Sequence, residues 1–121
     1  MILVDTSVWI DHLRSGDKLL AQLLDSTQVL THPFVIGELA CGNLGNRTEV
    51  LALLANLPRV ATATDEEVLF FIEQHQLMGR AMGYLDAHLL SSTFLGGPAR
   101  IWTRDKRLAA LAVELDKAFQ Q

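Results

Sequence analysis

Four carboxylates stand in settings that ordinary surface acids rarely occupy. Asp5 ends the apolar run Ile2-Leu3-Val4 and is followed by two hydroxyl residues, Thr6 and Ser7. Glu38 interrupts the apolar helical stretch from Pro33 to Cys41, with no Lys or Arg within reach along it. Asp86 lies in Gly83-Tyr-Leu-Asp86-Ala-His-Leu-Leu-Ser-Ser92, and Asp105 falls two residues beyond the strand-like Ala99 to Thr103. Each has a plainer reading. Asp5, Asp86 and Asp105 can cap helices, and Glu38 can occupy the exposed stripe of an amphipathic helix. Burying an unpaired carboxylate, however, costs several kcal/mol, so a charge in the Glu38 setting asks for a cation or a partner from elsewhere in the fold. Several carboxylates without His or Cys select a hard cation, and Mg²⁺ or Mn²⁺ fits. The chemistry suited to such an ion is attack of an activated water on a phosphodiester. Carboxylates gathered this closely also raise one another's pKa when no cation is present.

The elements that must position them follow from periodicity. The opening apolar run reads as a central parallel strand covered on both faces, and the carboxyl ends of such strands open into the ligand crevice of an α/β sheet. Helices are expected from Ser7 or Thr6 to about Arg14, from Lys18 to Leu24 with Leu19, Leu20, Leu23 and Leu24 on one stripe, from Phe34 to about Cys41, and from Arg47 to Asn56. Further helices are expected after Thr64 with Val68, Leu69, Phe71 and Ile72 as the buried stripe, from Asp86 to Leu95, and from Asp105 onward. Short strands are expected at Gln28–Thr31, Arg59–Thr62 and Ala99–Thr103. Strands alternating with helices mean βαβ units and a parallel sheet.

With 121 residues, half of them apolar and a fifth charged, the chain reads as one compact domain, residues 1–121, with enough core to need neither disulfide nor structural metal. Its one cysteine, Cys41, has no partner for a CxxC motif; it is expected in the core, and a cytoplasmic location suits it. No basic leader and no run of about 20 apolar residues is present, so secretion and membrane spanning are not expected. A net charge of −4 argues against a broad basic nucleic-acid face, although a metal-filled acidic pocket leaves room for local basic patches.

As an ordered set, Met1-Ile-Leu-Val-Asp5-Thr-Ser-Val-Trp-Ile-Asp11, Gly37-Glu38-Leu39, Leu85-Asp86-Ala-His-Leu-Leu-Ser-Ser92 and Trp102-Thr-Arg-Asp105 resemble the PIN-domain ribonucleases, and within them the VapC toxins of toxin–antitoxin pairs. The resemblance spans nearly the whole chain. It implies a three-layer α/β/α sandwich with a central, mostly parallel sheet of four to five short strands. It also implies an Mg²⁺- or Mn²⁺-dependent endoribonuclease whose pocket is lined by Asp5, Glu38, Asp86 and Asp105, with Asp5 and Asp86 the principal ligands. Glu38 would complete the first metal site or orient its waters, and Asp105 would support a second metal or place the nucleophilic water. Ser7 and Thr103 are expected to donate to these carboxylates, with capping or strand-end satisfaction as the plainer alternative. Implied partners are RNA, a VapB-type antitoxin whose C-terminal segment blocks the pocket, and a second copy of the chain in a homodimer and in the toxin–antitoxin hetero-oligomer. Ser91-Ser92 departs from the small alanines usual in the third motif and bears on packing.

Arg100, Arg104, Lys106 and Arg107 form the densest positive charge, a candidate grip on the RNA backbone or simply a solvated helix start. His88 falls two residues after Asp86 and therefore on another face of the helix. His12, His32 and His75 lack ligand spacing, and Trp9, Tyr84 and Trp102 read as core before base-stacking platforms. The alternatives are a PIN-type RNA-processing or DNA nuclease without an antitoxin, and a catalytically silent PIN-like binding module that four filled acidic positions disfavour. A phosphoacceptor receiver domain lacks its lysine here, since Thr103-Arg104-Asp105 follows the last strand.

Overall fold

The computed structural model describes residues 1–120. It is an α/β sandwich built on a three-stranded parallel sheet, β1 (Ile2–Val4), β2 (Val29–Leu30) and β3 (Arg100–Trp102), in the order β2-β1-β3. The first strand is central because both its edges are paired: Leu3 stands opposite Leu30 on one side and Ile101 on the other. Ile2, Leu3 and Val4 are all buried, as a strand covered on both faces requires. The expected strand at Arg59–Thr62 is reduced to one isolated bridge, Thr31 to Arg59, with Thr31 N–H donating to the Pro58 carbonyl and Val60 N–H to the Thr31 carbonyl. A second bridge, Ile101 to Ala118, continues the pairing beyond β3.

Seven α-helices lie among the described residues: α1 (Thr6–Ser15), α2 (Lys18–Asp25), α3 (Pro33–Ala40), α4 (Arg47–Asn56), α5 (Asp65–Gln74), α6 (Tyr84–Ser92) and α7 (Lys106–Glu114). Their starts follow local chemistry. Asp17 caps α2 through Leu20 N–H, and Thr64 with Glu67 closes a full capping box on α5. Gly16, at φ 77°, makes the left-handed step that ends α1 and lets α2 follow at once. Buried His32 caps α3 through Nδ1, which accepts from Phe34 N–H, with Pro33 in the first helical turn where no hydrogen bond is lost.

The core joins the sheet to Val8, Trp9, Leu20, Val35, Leu54, Leu89, Leu90 and Leu108. Trp9 and Trp102 are buried in it, whereas Tyr84 is exposed. Two expectations fail here. Leu69 is 57% exposed, so the buried stripe of α5 narrows to Val68 and Phe71, and Cys41 lies at the exposed end of α3. Among the described residues no helix is long and apolar enough to cross a membrane.

Candidate active site

The carboxyl ends of β1 and β3 are tied together by backbone and side-chain hydrogen bonds. Asp5 N–H donates to the Trp102 carbonyl at 2.9 Å, extending the pairing one residue past the strand. The Asp5 side chain is buried and caps α1. Its Oδ2 accepts from Ser7 Oγ at 2.7 Å and from Thr103 Oγ1 at 2.8 Å, while Ser7 N–H reaches it more weakly at 3.4 Å. Thr103 Oγ1 in turn accepts from Asp105 N–H at 3.1 Å. Asp105 caps α7, its Oδ1 accepting from the N–H groups of Arg107 and Leu108. Capping and site-building are therefore not alternatives for Asp5 or Asp105. One oxygen of each carboxylate holds a helix start, and the other takes no hydrogen bond from a described residue.

The other two carboxylates come from helix interiors. Asp86 sits in the first turn of α6, which begins at Tyr84 behind the N-cap Gly83, two residues before the expected start. Asp86 is therefore no N-cap. Its carboxyl is pushed up to about 6, first by burial and then by the charges of Asp5, Asp105 and Glu38, in that order. The charges of the other three carboxylates thus all bear on Asp86. Glu38 is exposed, which corrects the expectation that its apolar helix would bury it; it faces outward and its Oε1 accepts from Thr6 Oγ1 at 2.8 Å. Among the described residues no three His, Cys, Asp or Glu side chains are grouped closely enough to hold a metal ion.

Thr6 and Asp65 are site residues that sequence reasoning did not single out. Thr6 was considered only as a helix cap, yet its hydroxyl is the one that meets Glu38. Asp65, in the acidic first turn of α5, accepts from Tyr84 Oη at 2.8 Å and pairs with His88 Nε2 at 3.0 Å, two residues to either side of Asp86. Tyr84 and His88 hold the Asp65 carboxyl below the usual range, and Asp65 raises the Tyr84 hydroxyl. His88 is buried, and its Nε2 faces Asp65. His32, beneath Phe34, is lowered to about 4, chiefly by burial and then by the nearby charges of His88 and Arg59.

The basic cluster divides. Arg100 turns to Asp116 and the Asp116 and Ala118 carbonyls, away from the carboxyl ends of the strands. Arg104, expected at the RNA backbone, has its guanidinium engaged by Asp11 at 3.0 Å and Asp17 at 2.8 Å. Lys106 and Arg107 are exposed in the first turn of α7, beside Asp105, and neither joins an ion pair among the described residues. An open groove of about 440 Å³ runs from Glu38 past Ile10, Leu13 and Arg14 to the loop Gly42–Gly45.

The chain that carries these carboxylates has relatives among known proteins. The model of the PIN domain matches residues 2–114. The proteins described as Ribonuclease VapC32 from two strains of Mycobacterium tuberculosis, CDC 1551 / Oshkosh and ATCC 25618 / H37Rv, are each 52% identical to it over 121 residues, covering 100% of this chain and 98% of theirs. By full-length similarity and by its ordered carboxylate motifs, the chain belongs to the PIN-domain family, in its VapC branch.

Proposed function

We propose that the protein is a divalent-metal-dependent endoribonuclease that acts as the toxin of a VapBC-type pair. The observation that carries this reading is geometric: Thr103 Oγ1 joins Asp5 Oδ2 to Asp105 N–H at the carboxyl ends of β1 and β3, and the charges of Asp5, Asp105 and Glu38 bear on Asp86. Such a pocket fits a hard cation: every donor is oxygen, their charges are uncompensated, and neither His nor Cys intrudes. Asp5 and Asp86 would hold Mg²⁺, or Mn²⁺ in its place, with Glu38 completing the set and Asp105 supporting a second ion or the attacking water. Once bound, the ion supplies charge to the phosphate oxygens and acidity to a coordinated water.

The chain's own residues supply orientation. The Ser7 and Thr103 hydroxyls fix the rotation of the Asp5 carboxylate, so its unbonded oxygen is presented in one direction. Thr6 does the same for Glu38. Asp105, held by two backbone N–H groups through Oδ1, keeps its second oxygen free to receive a proton from water or to align it. Lys106 and Arg107 would meet the RNA phosphates beside it. A single-stranded loop is the substrate whose scissile phosphate can enter such a pocket with its bases splayed aside.

The same reading extends to partners and place. A VapB-type antitoxin would occlude the pocket, and a second copy would cover apolar side chains such as Phe70, which is 68% exposed, in a homodimer within the hetero-oligomer. The chain would act as one domain in the cytoplasm, where its RNA lies. The test is incubation of total RNA with purified protein in Mg²⁺ or Mn²⁺, with EDTA, and with Asp5→Asn. Discrete fragments that vanish with EDTA and with Asp5→Asn are expected. Folded, antitoxin-free protein that leaves RNA intact in both metals would overturn the reading.

A further inference from the structure

Arg104 is set among acids on α1 and at the start of α2. Its Nε lies 3.0 Å from Asp11 Oδ2 on α1, and its Nη2 donates at 2.8 Å to Asp17 Oδ2, the residue whose other oxygen caps α2. Its guanidinium also stands 5.9 Å from the Trp102 ring centroid, within cation–π range. Asp17 is held on a second side, its N–H donating to His12 Nδ1 at 3.0 Å. The fork of one arginine thus spans two helices, a geometry the point charge of a lysine does not reproduce.

The backbone of the same residue faces the pocket. Arg104 N–H donates at 3.0 Å to Ser7 Oγ, the hydroxyl that donates to Asp5 Oδ2. Its chain neighbours are Thr103, which also donates to Asp5, and Asp105, whose N–H returns to Thr103 Oγ1. The short segment Thr103–Asp105 is therefore pinned inward by hydroxyls and outward by a guanidinium. Exposed ion pairs contribute little stability, and Arg104 is 40% exposed, so the value of the outer pin is geometric.

We propose that Arg104 is a positioning residue: by clamping α1 and α2 to the loop after β3, it fixes Asp105 and the Ser7–Asp5 pair at the separation the reaction needs, and it does not bind RNA. The role rests on the proposed nuclease reading for its activity arm, but its metal arm reads the same loop whatever the substrate. Arg104→Gln, Arg104→Lys, the pair Asp11→Asn with Asp17→Asn, and all three replacements to Gln and Asn together are compared. Affinity for Mn²⁺ is measured without RNA, and kcat and KM are measured separately for RNA cleavage.

Arg104→Gln is expected to weaken Mn²⁺ binding and lower kcat by about tenfold each, the scale seen when outer partners of ligands are lost. KM for RNA should stay within about twofold, since no substrate contact is removed. The Asp11/Asp17 pair should reproduce both effects although it removes no positive charge, and the triple variant should be no worse than either, the mark of one shared device. Arg104→Lys should restore only part, because one ammonium cannot reproduce the planar fork. Asn at position 17 retains the α2 cap, so the acidic pair tests the clamp even if Arg104→Gln folds poorly. A raised KM with unchanged kcat in Arg104→Gln, absent from the acidic pair, would make Arg104 a phosphate contact and overturn the proposal. Unchanged Mn²⁺ affinity in both would overturn it as well. RNA left intact by the wild type alongside the expected Mn²⁺ losses would fault the nuclease reading alone.

Discussion

The pocket has two halves held in opposite ways. On the strand side, Asp5 receives two hydroxyl hydrogen bonds on one oxygen, and Asp105 receives two backbone N–H groups on one of its own. One oxygen of each is thereby fixed, and each carboxylate also caps a helix, α1 or α7. On the helix side, Asp86 has its charge opposed by burial and by three acids, and Glu38 stands exposed with one hydroxyl partner. The strand half contributes to stability; the Asp86 half detracts from it. A site divided in this way takes its orientation from residues that also build the fold, while Asp86 is a charge the fold holds at a cost.

The sharpest way to break the comparison is to neutralise one carboxylate in each half. Asp86→Asn should abolish cleavage, a loss of at least about 100-fold, and yet make the metal-free protein more stable at pH 7. The sign follows from linkage. The folded Asp86 keeps its proton to about 6, whereas the unfolded chain releases it near 3.8, so between these values the native state binds more protons and this carboxyl's contribution to stability falls as pH rises. After allowance for solvent screening at a half-buried group, the gain is about 1 kcal/mol. Buried His32 contributes in the opposite sense, its lowering to about 4 making stability fall as pH drops below 6.5. The difference between wild type and Asp86→Asn in thermal or urea unfolding therefore isolates the carboxyl, and it should open from about pH 4 to about pH 6 and close again on adding Mn²⁺ to the wild type. Asp5→Ala should lose activity and about 2 kcal/mol of stability together, through the lost cap and stranded hydroxyls. Equal destabilisation by both variants would erase the distinction between the halves.

A finer break lies within the strand half. Ser7→Ala removes the donor that joins Asp5 to Arg104 N–H but leaves Thr103 on the same oxygen. Cleavage should fall about tenfold, with a weaker affinity for Mn²⁺ and little change in KM. Ser7→Thr keeps the hydroxyl and should recover most of it. A variant indistinguishable from wild type in Mn²⁺ affinity would show that Thr103 alone orients Asp5.

What was legible in the sequence follows the same division. The apolar opening strand, the capping signals at Thr64 and Asp105, and the helix from Arg47 to Asn56 are written locally, and the structure reproduces them. The carboxylates themselves were legible because each breaks a local apolar pattern or follows a strand. What holds them was not, since those partners are distant in sequence: Thr6 meets Glu38 across 32 residues and Arg104 meets Asp17 across 87. Glu38 was misread as buried because a helix of apolar composition conceals which face it turns outward. Arg59–Thr62 carried a strand pattern, yet beside the two-residue strand β2 only one bridge forms. The start of α6 was placed too late because Asp86 resembles a cap, while Gly83 caps without a side chain.

The smallest expected effect probes whether the helix half has any support of its own. Asp65 is largely exposed, yet it gathers Tyr84 Oη and buried His88 Nε2 on a single oxygen, gripping α6 on both sides of Asp86. Asp65→Asn keeps an oxygen acceptor and the acidic character of the turn through Glu66 and Glu67, so the melting temperature should scarcely move. If the grip steadies Asp86, cleavage should still drop by a few-fold, less than for Ser7→Ala. Asp65→Ala, which removes both bonds, should drop further while its KM for RNA stays constant. If neither variant alters kcat or Mn²⁺ affinity, the link from α5 serves packing alone, and Asp86 owes its place only to the fold of α6 against the sheet.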